Sequence, residues 1–166
     1  GFTSARCLGS SIGPDVRRAI DDGLAEGPRL RVAGGFISST SGTWDNPAVP
    51  LDALRSRGEV ADGPSAMVAA VRQRVRDGAD FIKLIATGAV LAIGSEPGAL
   101  ELTPEEMKAA CDEAKALGKY CIAHAHGAEG IKAAIRAGAR TIEHASLVDD
   151  EGLRLAKDRN VWLAMD

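Results

Sequence analysis

Cysteine is scarce in this chain, and what there is does not pair. Cys7, Cys111 and Cys121 are an odd number with no CxxC spacing, which argues against a disulfide framework or a cysteine-based zinc knuckle and leaves three reduced thiols filling core positions. Excess charge is missing as well. A net charge of −3 gives neither the basic footprint of a nucleic-acid binder nor a polybasic patch for a membrane surface. No apolar run approaches the roughly 20 residues of a membrane span, and no basic start leads into the apolar stretch of a secretory signal. A cytoplasmic protein is therefore expected, with neither nucleic acid nor membrane as partner. Nucleotide signatures are absent too, since no GxGxxG follows the first strand-like run and neither GxxxxGKS nor GxxxxGKT occurs.

What is present is the balance of an ordinary globular domain, 45% apolar and 26% charged over 166 residues, long enough for one core. One unit repeats along it. The amphipathic run "PSAMVAAVRQRVRD" stops at Gly78 and "FIKLIAT" follows; "TPEEMKAACDEAKAL" ends at Gly118 and feeds "YCIAHAH"; "AEGIKAAIRA" ends at Gly138 and feeds "TIEHAS"; "DDEGLRLAKD" feeds "VWLAM". Glycine just past a helix supplies a left-handed residue at no Cβ cost, and Thr103 with Glu106 reads as a capping box. The first third fits the same order, with "FTSARCL", a helix from about Pro14 to Glu26, then "LRVAGGFI". Short apolar strands separated by helices predict βαβ units and a parallel sheet covered on both faces.

About six strands result, which suits either an open doubly wound sheet or part of an eight-stranded barrel. One connection is out of proportion. Residues 40–62, "TSGTWDNPAVPLDALRSRGEVAD", are too long and polar for a plain βα loop, and loops of that length are lids or binding loops, or disordered.

The polar residues inside the strands point to chemistry. In "YCIAHAHG" the period of two puts Tyr120, Ile122, His124 and His126 on one face, and His144 sits at the corresponding end of the next strand. These are all three histidines of the chain. The C-terminal ends of parallel strands are where α/β folds build their sites, and imidazole is the commonest metal ligand. A buried histidine that merely satisfies a backbone carbonyl is the plainer alternative for each taken singly. Lys83, in the middle of "FIKLIAT", poses a sharper problem, because a buried ammonium costs several kcal/mol, roughly, unless paired or discharged. Either its stem crosses the strand and its head reaches water, or burial and nearby cations free the amine to take up carbon dioxide as a carbamate, an anionic bidentate ligand able to bridge two divalent metals.

The stretches "GFTSARCLG", "FIKLIATG" and "HAHGAEGIKAAIRAGARTIEHASLVDDEG" resemble the amidohydrolase superfamily, in particular its imidazolonepropionase-like and prolidase-like metal-dependent members. The resemblance implies a TIM-like (β/α)8 barrel with a binuclear centre, usually zinc, at the C-terminal ends of the strands. It implies that Lys83 is the carboxylated bridging lysine after strand four, His124 the metal ligand of strand five and His144 that of strand six. His126 would then stand beside the ligands or contact substrate, its role and that of His124 being exchangeable. Catalytic parts fall to Lys83 and His126.

Departures from the family pattern set the expected extent. A strand-one HxH pair and a strand-eight aspartate are absent, "GFTSARCLG" resembles strand two and "VWLAMD" resembles strand seven, so Asp166 is not the catalytic aspartate. Cys7 stands where relatives often carry an acidic residue, and "SGTWDNP" replaces a histidine-containing loop. Residues 1–166 are thus expected to be a single partial barrel domain, strands two to seven, with open edges that another copy would cover in a homo-oligomer. The implied reaction is hydrolysis of carbon–nitrogen bonds in small molecules, such as dipeptides, N-acyl amino acids or cyclic amides. Two rivals stand beside it, a non-catalytic α/β domain for metal binding or partner contact, and a phosphate-binding barrel with a Schiff-base lysine.

Overall fold

The computed structural model describes residues 1–92 and 94–165; Asp166 lies outside them. Strands and helices run in the order β1 (Ser4–Cys7), α1 (Gly13–Asp21), β2 (Arg29–Val32), β3 (Phe36–Ile37), α2 (Leu51–Ser56), α3 (Pro64–Arg76), β4 (Ile82–Ile85), α4 (Pro104–Ala116), β5 (Cys121–Gly127), α5 (Ala128–Ala137), β6 (Thr141–Leu147), α6 (Asp150–Asp158) and β7 (Trp162–Ala164). Every strand pairing is parallel, β1 with β2 and then β3-β4-β5-β6-β7 in sequence order. This is a sector of a barrel wall with its helices on the outside.

The run "LRVAGGFI", expected as one strand, is two. Gly34 and Gly35 adopt φ of 68° and 125°, which breaks the extended backbone where an L side chain would be strained. Arg74 fills the break, donating to the carbonyl oxygens of Gly34 and Phe36 at 3.4 and 3.3 Å. A Cβ on Gly35 would lie 3.0 Å from the guanidinium carbon. Asp80 bridges across the same gap: its N–H donates to Val32 O at 2.8 Å, and its carboxylate accepts from Val32 N at 2.9 Å and from Arg17 at 2.6 Å. The barrel strand therefore continues, β2 against β1 and β3 against β4, so the expected set of strands stands with its second member in two segments.

Helix ends follow the sequence closely where capping chemistry is local. Thr103 and Glu106 form the reciprocal capping box, and Asp149 caps α6 by accepting from Gly152 N at 2.7 Å. Gly138 closes α5 in the left-handed conformation. Helix α1 stops at Asp21, short of the expected Glu26, because Gly23 turns left-handed and the N–H of Leu24 reaches back to Ala19 O, a Schellman closure. The long segment 40–62 holds a helix of its own, α2.

Strand alternation sorts the side chains. Ile82, Leu84, Ala123, Ala125 and Ile142 face out into the core shared with Met67, Val71, Met107, Ile131 and Ile135 of the helices. Burial of each large aliphatic there contributes roughly 1.5–3 kcal/mol. Phe81, Ile122 and Ala33 face inward with Tyr120 and Leu8 packed beside them. The inward residues further along the strands are polar, and they make the site.

Candidate metal centre

Strand β5 brings His124 and His126 inward by the same alternation that buries Ile122. Strand β6 reaches the site by breaking that alternation. Its partner register sets His144 opposite Ala125, which faces the helices, so a regular strand would aim His144 away from the barrel interior. Instead His144 and Ala145 take φ of 75° and 52° and the β5–β6 register shifts beyond Ala125. Ala145 then packs into the outer core, and the His144 ring turns in to meet the other two.

The three rings form one cluster. Centroids lie 4.7 Å apart for His124 and His126, 4.7 Å for His124 and His144, and 4.9 Å for His126 and His144. One ring nitrogen from each falls within 4.8 Å of the others. The surroundings fix the rings: His124 Nε2 donates to Gly88 O at 3.3 Å, His126 Nδ1 shares a 2.9 Å hydrogen bond with Ser146 Oγ, and the His126 N–H donates to Thr87 Oγ1 at 2.9 Å. Glycine makes the last contact possible, since a Cβ on Gly130 of α5 would lie 2.2 Å from Thr87 Cγ2.

Lys83 is inward and buried at 6% exposure. It pairs in register with Ile122, whereas Ile85 pairs with His124, so it enters one inward layer below His124. Burial, offset in part by the carboxylate of Glu143 and reinforced by Arg6, lowers its pKa to about 8. His124 falls to about 4, through burial first and the charge of Lys83 second. The first ring is thus a neutral imidazole at ordinary pH, with a lone pair to offer.

On the inward face of β6 lies a polar pair that the strand pattern alone did not single out, Thr141 in register with Ile122 and Glu143 with His124. Glu143, 5% exposed, accepts from Thr141 Oγ1 at 2.5 Å and from Arg6 at 3.4 Å, and Arg6 also donates to Thr141 at 3.3 Å. The period of two in "TIEH" carried the signal, for it places Thr141 and Glu143 on one face; the partner, Arg6, lies 137 residues away in sequence and gave none.

The donor set suits a borderline divalent cation. Clustered imidazoles, the first of them discharged, and a buried amine depressed toward neutrality are ligands of the zinc type rather than the all-oxygen shell of magnesium or calcium.

A parallel barrel wall with histidines gathered at the C-terminal ends of its strands places the chain in the (β/α)-barrel class, with its candidate site where that fold builds sites. The chain belongs to the amidohydrolase family, whose model matches residues 1–166. Among known proteins it is similar to the ochratoxinase of Aspergillus niger, at 35% identity over 176 residues, covering 97% of this chain and 36% of that protein. Among solved structures it is similar to a Xaa-Pro dipeptidase with methionine bound in its active site (38% identity, TM-score 0.92, 98% of this chain and 42% of that one). The crystal structure of the A. niger ochratoxinase superposes with a TM-score of 0.91 at 33% identity, over 98% of this chain and 41% of that one. The chain spans 36% of the length of the curated relatives it matches.

Proposed function

We propose that residues 1–166 are one partial barrel domain of a zinc-dependent amidohydrolase, and that His124, His144 and Lys83 hold its metal. The observation that carries this is the convergence of three imidazole nitrogens within 4.8 Å at the ends of β5 and β6. A bound divalent ion would polarise an amide carbonyl and acidify a water molecule. The chain's own residues supply the setting. His124 offers a neutral ring held against Gly88 O, and His126, anchored through Ser146 and Thr87, stands beside the ligands where it can orient substrate or carry a proton.

Lys83, depressed to about 8, presents a fraction of free amine near neutral pH. That amine adds to carbon dioxide, forming an N–C bond and releasing one proton, and the product carbamate offers two oxygens where an ammonium offered none. Two such oxygens suit a binuclear centre. The family pattern's remaining ligands, a strand-one HxH pair and a strand-eight aspartate, have no counterpart within residues 1–166.

Small molecules with a carbon–nitrogen bond to cleave are the substrates we assign, in particular dipeptides and N-acyl amino acids; similarity to a Xaa-Pro dipeptidase supports the first. No helix among the described residues is long and apolar enough to cross a membrane. We place the protein in the cytoplasm, which its three free cysteines favour, and as a homo-oligomer.

The experiment is elemental analysis under native conditions on protein grown with zinc and bicarbonate, beside carbon-13 spectroscopy of protein equilibrated with labelled bicarbonate. Near-stoichiometric zinc that falls in Lys83→Ala and His144→Ala, with a carbamate resonance absent from Lys83→Ala, is the expected result. Zinc at background in every sample would overturn the assignment.

A further inference from the structure

Outside the histidine cluster, three carboxylates close on one buried ammonium. Lys132 of α5 is 5% exposed. Its Nζ donates to Asp149 Oδ2 at 3.0 Å and to Glu151 Oε2 at 3.2 Å, and pairs with Glu129 Oε1 at 2.7 Å. A helical lysine ordinarily lays its stem on apolar side chains and leaves its head in water; this one is covered and held. Fixing so long a side chain carries an entropic cost that an ordinary surface ion pair barely recovers. The arrangement instead fixes where Asp149 sits.

The two elements tied together are those that carry the histidines. Helix α5 leaves β5 directly after His126 and Gly127, and Asp149 caps α6 at the far end of the segment that begins with His144. Within that segment His144 and Ala145 are left-handed, Val148 N–H donates to Ala145 O at 3.1 Å, and Ser146 Oγ meets His126 Nδ1 at 2.9 Å. Asp149 is held at both oxygens, since Oδ1 accepts from Gly152 N at 2.7 Å while Oδ2 takes Lys132. Val148 is confined as well, for a Cβ on Gly152 would lie 3.0 Å from its Cγ2. Strained backbone persists only where its surroundings over-determine it. Lys132 holds the far end of this turn against α5, the helix that grows out of β5, so the turn that aims His144 is closed between two fixed points.

Resting on the metal reading above, we infer that Lys132 is a positioning residue of the metal centre. Through its ion pair with Asp149 it holds the end of β6 in the left-handed turn that brings His144 and Ser146 to the rings of His124 and His126.

Two variants separate the ion pair from its surroundings. Lys132→Met keeps the stem and removes the charge. Asp149→Asn keeps the oxygen that caps α6 and removes the ion pair, so it serves even if the first fails to fold. Arg72→Met, which breaks the 2.7 Å pair between α3 and Glu113 of α4, is the control for losing a helix–helix ion pair elsewhere. For each, urea unfolding confirms a folded protein, the long-range proton–nitrogen spectrum of the imidazoles is recorded without metal, and zinc affinity is read by competition with a chelator. Lys132→Met and Asp149→Asn should displace the ring cross-peaks of His144 and His126 and weaken zinc binding about 10-fold, the lower end for groups that orient ligands. Arg72→Met should do neither. Cross-peaks left in place by both variants, or displaced as far by Arg72→Met, overturn the positioning role, and zinc still bound in those samples leaves the metal reading standing. Cross-peaks displaced by the two variants alone, in protein that takes up no zinc in any form, keep the role and sink the metal reading.

Discussion

His144 meets His124, ring centroids 4.7 Å apart, because its own backbone stands at φ 75°. Left-handed backbone at two successive residues other than glycine is costly, about 1–2 kcal/mol each, and such strain concentrates where a side chain must be aimed. Complete burial of Ala145 in the helix core offsets part of that cost, about 0.8 kcal/mol for its methyl.

Ala145 is therefore a sensitive position. Ala145→Val places a β-branched residue at φ 52° in a filled core and should lower stability by about 2–4 kcal/mol in urea unfolding, with zinc affinity falling alongside. Ala145→Gly should be nearly neutral, since relief of the left-handed strain roughly balances the lost methyl, about 0.8 kcal/mol.

Removal of a ligand is the direct test of the cluster. His124→Ala and His144→Ala should each weaken zinc binding by more than about 100-fold in competition with a chromophoric chelator, whereas replacing a partner of the rings costs about 10–100-fold. Ser146→Ala, which takes the hydroxyl from His126 Nδ1, a ring beside the ligands, should fall at or below the lower end of that milder range.

Acidity supplies a second handle on metal-free protein. His124 has a folded pKa of about 4 against an ordinary 6.5, so between those values the unfolded chain binds more protons and stability rises with pH. Acidification from about 6.5 toward 4 should lower the urea midpoint, and His124→Gln should flatten that slope. A slope unchanged by the substitution would show that other groups carry it.

Glycine at 130 keeps α5 close to Thr87. Gly130→Ala forces a Cβ to within 2.2 Å of Thr87 Cγ2, an overpacking that should cost about 1–3 kcal/mol. Because Thr87 accepts the His126 N–H, the same variant should shift the His126 amide resonance in a heteronuclear spectrum.

Much of this site was legible in the sequence because its determinants are local. Alternation within "YCIAHAHG" put His124 and His126 on one face, and a lysine within "FIKLIAT" announced a buried amine. Capping at Thr103 and glycine at 78, 118 and 138 marked helix ends for the same reason. The remainder depends on partners distant in sequence. Strand β2–β3 breaks at Gly34–Gly35 around an arginine from α3, although a glycine pair within a strand-like run already hinted at an irregularity. His144 owes its direction to two dihedral angles that strict alternation does not foresee, and the layer of Lys83 is a matter of register between strands.

The break at Gly34–Gly35 also bears on the order of assembly. From β4 onward each strand joins its sequence neighbour through one helix, so these contacts close comparatively short loops and should form early. The β1–β2 ribbon, mostly exposed, reaches that sheet through Asp80, bonded to Val32 and Arg17, and through the longer contacts of Arg6 with Thr141 and Glu143. Docking of the ribbon should then fall after the rate-limiting barrier. Asp80→Ala should speed unfolding by roughly the whole of its destabilisation while leaving the refolding rate in place, a φ-value near zero.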